Sequence, residues 1–280
     1  MTRAIRKVVK KLYLSPITNP MRPFYQAMVL ANRYFGHRIG TVFAKSFQTG
    51  ETSNFTYDLT DANLGYLAHV IALVTGEPLN SIRHYLQEPR DDQVLRRHVL
   101  DVSHRHGERD TGKDLPFGRR LGWYAMARAI KPKVVVETGV DRGHGAVLLC
   151  AALVRNAQEG APGRYFGTDI SSRAGWLLDG IYAQTGKILY GDSIASLRGI
   201  SDPIDLFIND SDHSADYEYQ EYIAIKDKLS PRAFILGDNA HVTDRLMRFS
   251  DENGRRFLFF REEPKNHWYP GAGIGISFTP

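Results

Sequence analysis

The segment that decides the fold is Val134-Val135-Val136-Glu137-Thr138-Gly139-Val140-Asp141-Arg142-Gly143-His144-Gly145-Ala146-Val147-Leu148-Leu149. Its opening run of β-branched residues is typical of a strand that is buried on both faces of a parallel sheet. The three glycines that follow let the backbone approach a ligand where any Cβ would collide. The segment therefore predicts a strand, a glycine turn and a helix that bind a nucleotide-type cofactor. Glu137, at the end of the strand, is placed to accept a hydrogen bond from that ligand.

The spacing of the glycines separates two kinds of cofactor loop. A dinucleotide loop carries G-x-G-x-x-G, whereas this chain has an acid followed by G-x-x-x-G-x-G. The second pattern resembles motif I of class I S-adenosylmethionine-dependent methyltransferases. The alternative is a generic glycine-rich turn between a strand and a helix. The resemblance implies S-adenosylmethionine as the cofactor and a set of loop residues that contact it, namely Glu137, Gly139, Asp141, Gly143 and Gly145.

The order of elements after this loop predicts the architecture. Strands are expected over 133–138, 164–169, 187–191, 204–209 and 233–237, and helices over 143–157, 172–184, 193–199, 215–229 and 240–249. Such alternation is typical of a doubly wound parallel sheet. The segments 256–261 and 273–278, separated by two prolines, predict an antiparallel closing pair. The expected fold class is α/β, a Rossmann-like doubly wound seven-stranded sheet, mostly parallel with an antiparallel closing strand, plus an N-terminal helical extension.

Residues 1–115 are expected to form that helical extension or cap, and residues 116–280 the S-adenosylmethionine-dependent methyltransferase domain. Asp61 is the predicted N-cap of a helix that Gly76 ends. From residue 88 to residue 114, charges alternate densely with little apolar content, which predicts a mobile connector or lid. Its histidines lack cysteine partners and helical i, i+4 spacing, so a solvated loop is favoured over a metal site.

The charge distribution points to an anionic partner for the N-terminus. The net charge is +5, yet residues 1–50 carry nine basic residues and no acidic one, so the remainder carries 27 basic and 31 acidic residues, a net charge of −4. Apolar residues recur at helical spacing opposite the bases of residues 1–13, a pattern typical of a short interfacial helix. Weak contact with an anionic membrane surface is one interpretation. A helix that docks on the body or on a second subunit is the favoured one.

The compartment is predicted from the single cysteine and from hydropathy. Cys150 alone cannot form an intrachain disulfide, which indicates a reducing compartment. No apolar run approaches the 18 or so residues that a membrane span needs. The expected location is cytoplasmic or peripheral at the membrane, and the expected assembly is a homo-oligomer.

Acidic residues terminate successive predicted strands. In an open α/β sheet the ligand lies beyond the carboxyl ends of the strands, so these side chains converge on one edge. Six carboxylates at one edge would repel unless hydroxyls, an amine or a cation offset them. In the resembling family the acids after strands two and three bind the ribose hydroxyls and the adenine amino group. That resemblance implies these cofactor contacts for Asp169 and Asp192, and a helix cap is the alternative role of each.

The stretches 204–214 and 234–240 resemble the metal-dependent O-methyltransferases, the group of the catechol, caffeoyl-CoA and macrolide-sugar enzymes. The resemblance implies that Asp210, Asp238 and Asn239 are ligands of one divalent cation, with Asp210 also beside the cofactor. Oxygen donors with open positions suit magnesium, or calcium or manganese. Caps and surface acids are the alternative interpretation of these residues.

A general base is expected three residues after Asp210. Catechol and caffeoyl-CoA relatives carry a lysine there, whereas this chain has His213. A neutral imidazole can take a hydroxyl proton near neutral pH, so His213 and Asp210 are the candidate catalytic residues. A role as a hydrogen-bonding partner of an aspartate is equally open for His213. His144 and His241 are rival bases.

These features together predict an S-adenosylmethionine-dependent, divalent-metal-assisted O-methyltransferase. The expected acceptor is a hydroxyl of a small molecule, a saccharide or a glycosylated metabolite. One alternative is an RNA methyltransferase that uses the basic N-terminal arm, but an acidic cluster at the site would repel phosphate, so nucleic acid is not the expected partner. The other alternative is a non-catalytic methyltransferase-like scaffold at a membrane surface.

Overall fold

The computed structural model describes residues 57–108, 116–238 and 240–279, together with seven positions between 23 and 36 (23, 26, 27, 29–31 and 36). The predicted amphipathic helix over 1–13, the end of the predicted connector at 109–114 and the predicted metal ligand Asn239 lie outside the described residues. Residues 57–265 and 271–279 belong to one compact unit. No helix in the described part of the chain has the length and apolar character needed to cross a bilayer.

The described strands form two sheets. Their bounds are β1 Asp58–Leu59, β2 Val134–Thr138, β3 Arg164–Asp169, β4 Gly186–Tyr190, β5 Ile204–Asn209, β6 Leu229–Asp238, β7 Arg256–Arg261, β8 Pro264–Lys265 and β9 Gly273–Phe278. The large sheet has the order β4-β3-β2-β5-β6-β9-β7, and β1 pairs with β8. Strands β2 to β6 run parallel to one another, whereas β9 is antiparallel to both β6 and β7. The predicted fold class, with its antiparallel closing pair, is confirmed.

Helices cover both faces of the large sheet. They are α1 Asp61–Thr75, α2 Leu79–Asp91, α3 Gln93–Arg105, α4 Arg120–Ile130, α5 His144–Gln158, α6 Ser193–Gly199, α7 Ala215–Ile225 and α8 Arg245–Glu252. All five residues of β2 are buried, as the β-branched run predicts for a central strand. Between the sheet and α6 to α8 lies an apolar cluster that includes Phe207, Tyr222 and Phe249. Because the core is fixed on this side, the strand ends that carry the acids are held in register.

The charged segment from residue 88 onward is helical, so its prediction as a mobile connector was wrong over 88–105. Leu95, Val99 and Val102 are buried along one face of α3, and Asp92 caps that helix through hydrogen bonds from two backbone N–H groups. The carboxylate of Glu88 is itself buried, and it accepts hydrogen bonds from Arg128 at 2.9 Å. Three apolar residues at helical spacing therefore order a segment whose overall composition is polar.

Two local predictions also differ from the structure. Thr60, rather than Asp61, caps α1, because its side-chain oxygen accepts from the N–H of Asn63 at 3.2 Å. The expected helix over 172–184 is a series of turns that ends in a short 3-10 helix at 182–184. Gly175 and Gly180 there have φ of 75° and 58°, and such left-handed backbone interrupts a helix.

Candidate functional site

Two adjoining cavities lie at the carboxyl ends of β2 to β6. The larger, of about 530 Å³, is bordered by the ends of β2, β3 and β5 and by the turn after β4. The smaller, of about 200 Å³, lies between the glycine loop, the start of α4 and the turn after β5. Gly139, Asp141 and Asp210 line both cavities. Most of the predicted site residues therefore border a cavity where the topology places a ligand, whereas Gly143 and Asp238 border neither.

The glycine loop packs so closely against its neighbours that two of its glycines leave no room for a Cβ atom. A Cβ on Gly139, whose φ is 79°, would lie 2.1 Å from the carbonyl oxygen of Asp210. A Cβ on Gly145 would lie 2.2 Å from Oε1 of Glu137. Gly143 differs from both, because it lines neither cavity and a Cβ there would meet Cα of Gly175 at 3.2 Å. The loop packs there against the turn after β3, and the cofactor contact of Gly143 stays a prediction.

The acids of the larger cavity organise their own loops. Asp169 accepts from the N–H groups of Asp141 and Ser171, each at 2.8 Å. Asp192 caps α6 by accepting from the N–H of Ala195 at 2.8 Å, and the Tyr217 hydroxyl donates to it at 2.9 Å. These hydrogen bonds, the one from Ala195 foremost, hold the pKa of Asp192 below its ordinary value. Asp192 therefore caps a helix, and both Asp169 and Asp192 line the larger cavity.

Glu137 lies at the inner wall of the smaller cavity and is 1% exposed. The hydroxyl of Tyr165 donates to its Oε2 at 2.6 Å. Burial raises the pKa of Glu137 to about 8, although the hydrogen bond from Tyr165 and the charge of Arg120 oppose that rise. The carboxyl group is therefore protonated at neutral pH in this fold and can donate as well as accept a hydrogen bond.

Asp210 and Asp238 form a buried carboxyl pair that is bound to an arginine. Nη2 of Arg119 donates to Oδ2 of Asp238 at 2.6 Å, and its Nε donates to Oδ1. Burial acts to raise the pKa of Asp238, but the charge and hydrogen bonds of Arg119 outweigh it and hold that pKa below its ordinary value. Burial and the adjacent Asp238 raise the pKa of Asp210 well above its ordinary value. The environment therefore shifts the pKa values of the two carboxyl groups in opposite directions, that of Asp210 upward and that of Asp238 downward.

Arg119, which is 5% exposed and lines the smaller cavity, was not among the residues predicted from the sequence. A signal was available, because Arg119 and Arg120 stand at the start of a helix whose other residues are almost all small or apolar. Two cations that must be buried there need anionic partners elsewhere in the chain. The sequence does not say which acids those partners are.

The candidate metal ligands lie close together. Asp210, His213 and Asp238 each offer one ligand atom, and these atoms are all within 4.8 Å of one another. Carboxylate oxygens suit a divalent cation such as magnesium or manganese, so Asp210 and Asp238 fit the implied metal, whereas an imidazole nitrogen is more typical of zinc, copper, iron or nickel sites. Both oxygens of Asp238, however, accept hydrogen bonds from Arg119. A cation that binds Asp238 would therefore meet the guanidinium of Arg119.

The three candidate bases lie in different environments. His213 has its Nε2 3.9 Å from Oδ1 of Asp210 and lines the smaller cavity, with 37% of its side chain exposed. His144 also lines this cavity, but burial first, and then Arg120 and Arg142, lower its pKa to about 3. His241 is exposed, lies beside the ring of Phe259 and lines neither cavity. The geometry therefore favours His213.

A second residue that was not predicted from the sequence, Glu221 on α7, connects the strand ends. Its buried carboxylate accepts from the hydroxyls of Thr138 at 3.1 Å and Ser211 at 2.8 Å, and also from Ser193 and Asn209. These four donors belong to the ends of β2 and β5, to the start of α6 and to the turn that carries Asp210. One carboxylate thus fixes three walls of the two cavities relative to each other.

Comparison with known families identifies this region. Residues 136–240, from β2 to just beyond β6, match the family described as "Methyltransferase domain". This part of the chain is therefore similar to a methyltransferase domain. The predicted resemblance of its glycine loop to the methyltransferases is confirmed. A comparison with curated protein sequences gave no match.

Solved structures with a fold similar to that of this chain include three O-methyltransferases. TomG from Streptomyces achromogenes, involved in tomaymycin synthesis and solved with S-adenosylmethionine, is 15% identical, with a TM-score of 0.50 over 68% of this chain and 90% of that chain. A putative O-methyltransferase from Klebsiella pneumoniae is 17% identical, with a TM-score of 0.50 over 70% and 94%. The O-methyltransferase from Bacillus cereus, in complex with SAH, is 14% identical, with a TM-score of 0.50 over 69% and 96%. At these identities the likeness concerns the fold.

Proposed function

We propose that the protein transfers a methyl group from S-adenosylmethionine to a hydroxyl group of a small molecule. The observation that carries the proposal is the adjacency of the two cavities, which meet at Gly139, Asp141 and Asp210. The larger cavity takes the adenosine part of the cofactor, and the methionine part and the acceptor meet in the smaller one. A volume of about 530 Å³ lies within the range of roughly 300–1,000 Å³ that small-molecule pockets span.

Three residues of the larger cavity provide the expected contacts for adenosine. Asp169 accepts from the ribose hydroxyls, and Asp192 accepts from the adenine amino group. Each aspartate already uses part of its capacity on backbone N–H groups, but an ionised carboxylate offers about four acceptor positions. The side chain of Ile170, which is 86% exposed, offers an apolar surface to the adenine ring.

The chemistry requires an acceptor oxygen that is deprotonated as it attacks. The oxygen forms a bond to the sulfonium methyl carbon, the carbon–sulfur bond breaks, and S-adenosylhomocysteine leaves. The hydroxyl proton passes to the imidazole of His213, which stands at the mouth of the smaller cavity beside Asp210. His144 is not the base in this proposal, because its environment disfavours the protonated form that a base must adopt.

A divalent metal forms a further part of the proposal. Asp210, Asp238 and Asn239 are the proposed ligands, and magnesium is the proposed ion. When bound, such an ion lowers the pKa of the acceptor hydroxyl and fixes its direction of attack. The proximity of Asp210 and Asp238 supports two of these three donors. A saccharide or glycosylated acceptor, a homo-oligomeric assembly and membrane contact through residues 1–13 remain predictions.

Calorimetric titration of the purified protein with S-adenosylmethionine, with and without magnesium, tests the proposed cofactor. We expect binding in the micromolar range, and NADH serves as the control ligand that should not bind. An Asp169→Ala variant should lose most of this affinity, because it removes the proposed ribose acceptor. Absence of binding to the wild-type protein would refute the assignment of the larger cavity. Hydroxylated saccharides are then screened as acceptors by following S-adenosylhomocysteine release.

A further inference from the structure

Arg119 is fixed by buried groups from several parts of the chain. Two of its nitrogens donate to Asp238 at the end of β6, and Nη1 donates to the hydroxyl of Tyr57 at 2.9 Å. That hydroxyl donates in turn to Oε2 of Glu262 at 2.5 Å, and the ring of Tyr57 lies against Gly118. Oε1 of Glu262 is 4.0 Å from Nη1 and accepts from the N–H of Ala272 at 2.7 Å. The guanidinium therefore has a defined position.

The guanidinium of Arg119 occupies the carboxylate oxygens of Asp238 that the proposed metal ion would bind. Both oxygens of Asp238 accept from it in a bidentate pair, the geometry that arginine makes best with a carboxylate. A divalent ion bound to Asp238 would meet this positive charge at close range, between residues that are only 3% (Asp238) and 5% (Arg119) exposed. Like charges at such a distance repel strongly. Arg119 and a divalent ion are thus alternative counter-ions of the same carboxylate.

We infer that Arg119 is a resident cation of the carboxylate pair, which a divalent ion must displace from Asp238 in order to bind. Without a metal, the guanidinium neutralises Asp238 and keeps the walls of the smaller cavity in place. With a metal, the guanidinium gives up at least one of its two hydrogen bonds to Asp238. Arg119 therefore sets the metal affinity of the site. This inference rests on the proposed metal ligands but not on the proposed methyl transfer.

Manganese binding to metal-free protein tests the inference without any measurement of activity. Manganese is titrated into the wild type and into Arg119→Gln, and the free ion is followed by electron paramagnetic resonance. We expect the variant to bind manganese at least tenfold more tightly, because the competing charge is gone. The melting temperature of the metal-free variant should be lower than that of the wild type, since Asp238 loses its partner. Saturating manganese should then restore it.

Arg128 provides the matched control, because it is equally buried, lies on the same helix α4 and is paired with the buried Glu88. Arg128→Gln should also lower the melting temperature, but manganese should not restore it. Manganese affinities of the wild type and Arg119→Gln that agree within threefold would overturn the inference. Equal rescue of Arg128→Gln by manganese would overturn it as well, because the effect would then be unrelated to the site.

A conservative variant covers the case in which Arg119→Gln does not fold. Arg119→Lys keeps one charge but has no planar fork, so it can occupy only part of the Asp238 carboxylate. Its manganese affinity should therefore exceed that of the wild type, and an affinity equal to the wild-type value would contradict the inference. Titration of the same preparations with S-adenosylmethionine separates the two proposals. Intact cofactor binding together with unchanged metal affinity would refute only the inferred role of Arg119. The proposed methyl transfer would stand.

Discussion

Replacement of Glu137 by glutamine should change how the stability of the protein depends on pH. In the fold, burial raises the pKa of this carboxyl to about 8, from an ordinary value of 4.5. An acid with a raised folded-state pKa stabilises the fold below its unfolded pKa, and this contribution is lost as pH rises through the folded pKa. Between pH 4.5 and pH 8 the unfolded chain releases the proton while the folded chain retains it. Glutamine is a neutral replacement that does not titrate.

The magnitude follows from the difference between the pKa of Glu137 in the folded chain and its pKa in the unfolded chain. A tenfold difference in proton affinity corresponds to about 1.4 kcal/mol, so the full loss is about 5 kcal/mol above pH 8. Between pH 5.5 and pH 8.5 the same linkage gives a loss of about 3 kcal/mol. This is a large fraction of the roughly 5–15 kcal/mol that separates the folded from the unfolded state of a typical domain. The free energy of unfolding of the wild type, minus that of Glu137→Gln, should therefore fall by that amount over this pH range.

Urea denaturation of the ligand-free protein, followed by tryptophan fluorescence at several pH values, measures this difference. Asp101→Asn is the control, since it removes a carboxyl group from an exposed position on α3 and should leave the pH profile of the wild type unchanged. A difference between wild type and Glu137→Gln that stays constant within about 1 kcal/mol from pH 5.5 to pH 8.5 would refute the reasoning. It would mean that Glu137 is ionised in the folded protein at neutral pH.

Three further predictions concern the walls of the cavities. Gly139→Ala should abolish most cofactor binding in calorimetry, because its Cβ would overlap a carbonyl oxygen at 2.1 Å, whereas Gly160→Ala, also at positive φ but in open space, should retain binding. Glu221→Ala should lower the free energy of unfolding by about 1–3 kcal/mol for each buried donor left unpaired. The control Gln220→Ala, at an exposed position on the same helix, should leave the free energy of unfolding unchanged. His144→Gln should resist acid better than the wild type, because the folded-state pKa of His144 is lowered and unfolding of the wild type takes up a proton below about pH 6.5. This proton uptake lowers the free energy of unfolding of the wild type by about 2 kcal/mol at pH 5, which urea titrations measure.

The fold could be predicted largely from local signals. A run of β-branched residues, a glycine turn and an apolar helix lie within sixteen consecutive residues, and the same alternation continues along the chain. The errors arose where local composition was misleading. The segment 88–105 is rich in charge, yet three apolar residues on one face of α3 order it. The segment 172–184 has helical composition, but two glycines in left-handed conformations interrupt it.

The candidate site could be predicted only where topology alone brings residues together. Acids that end parallel strands must meet at one edge of the sheet, so Asp169, Asp192, Asp210 and Asp238 were identified without any knowledge of side-chain contacts. Arg119 is 119 positions from Asp238 in sequence, and Tyr57 is 205 positions from Glu262. Nothing in the local pattern of either partner specifies such a pair, because each depends on how α4 and the residues before β1 pack against the sheet.

The structure also resolves how so many acids coexist at one edge, where the sequence left a choice between hydroxyls, an amine and a cation. Asp169 and Asp192 are stabilised by backbone N–H groups, and Glu137 retains its proton. Burial and the adjacent Asp238 raise the pKa of Asp210, and Asp238 is paired with Arg119. The described residues thus offset these charges with N–H groups, a retained proton and an ion pair. A metal that takes part in the reaction must therefore compete with an existing ion pair, so the metal affinity of the wild type should be weaker than its donor set alone implies.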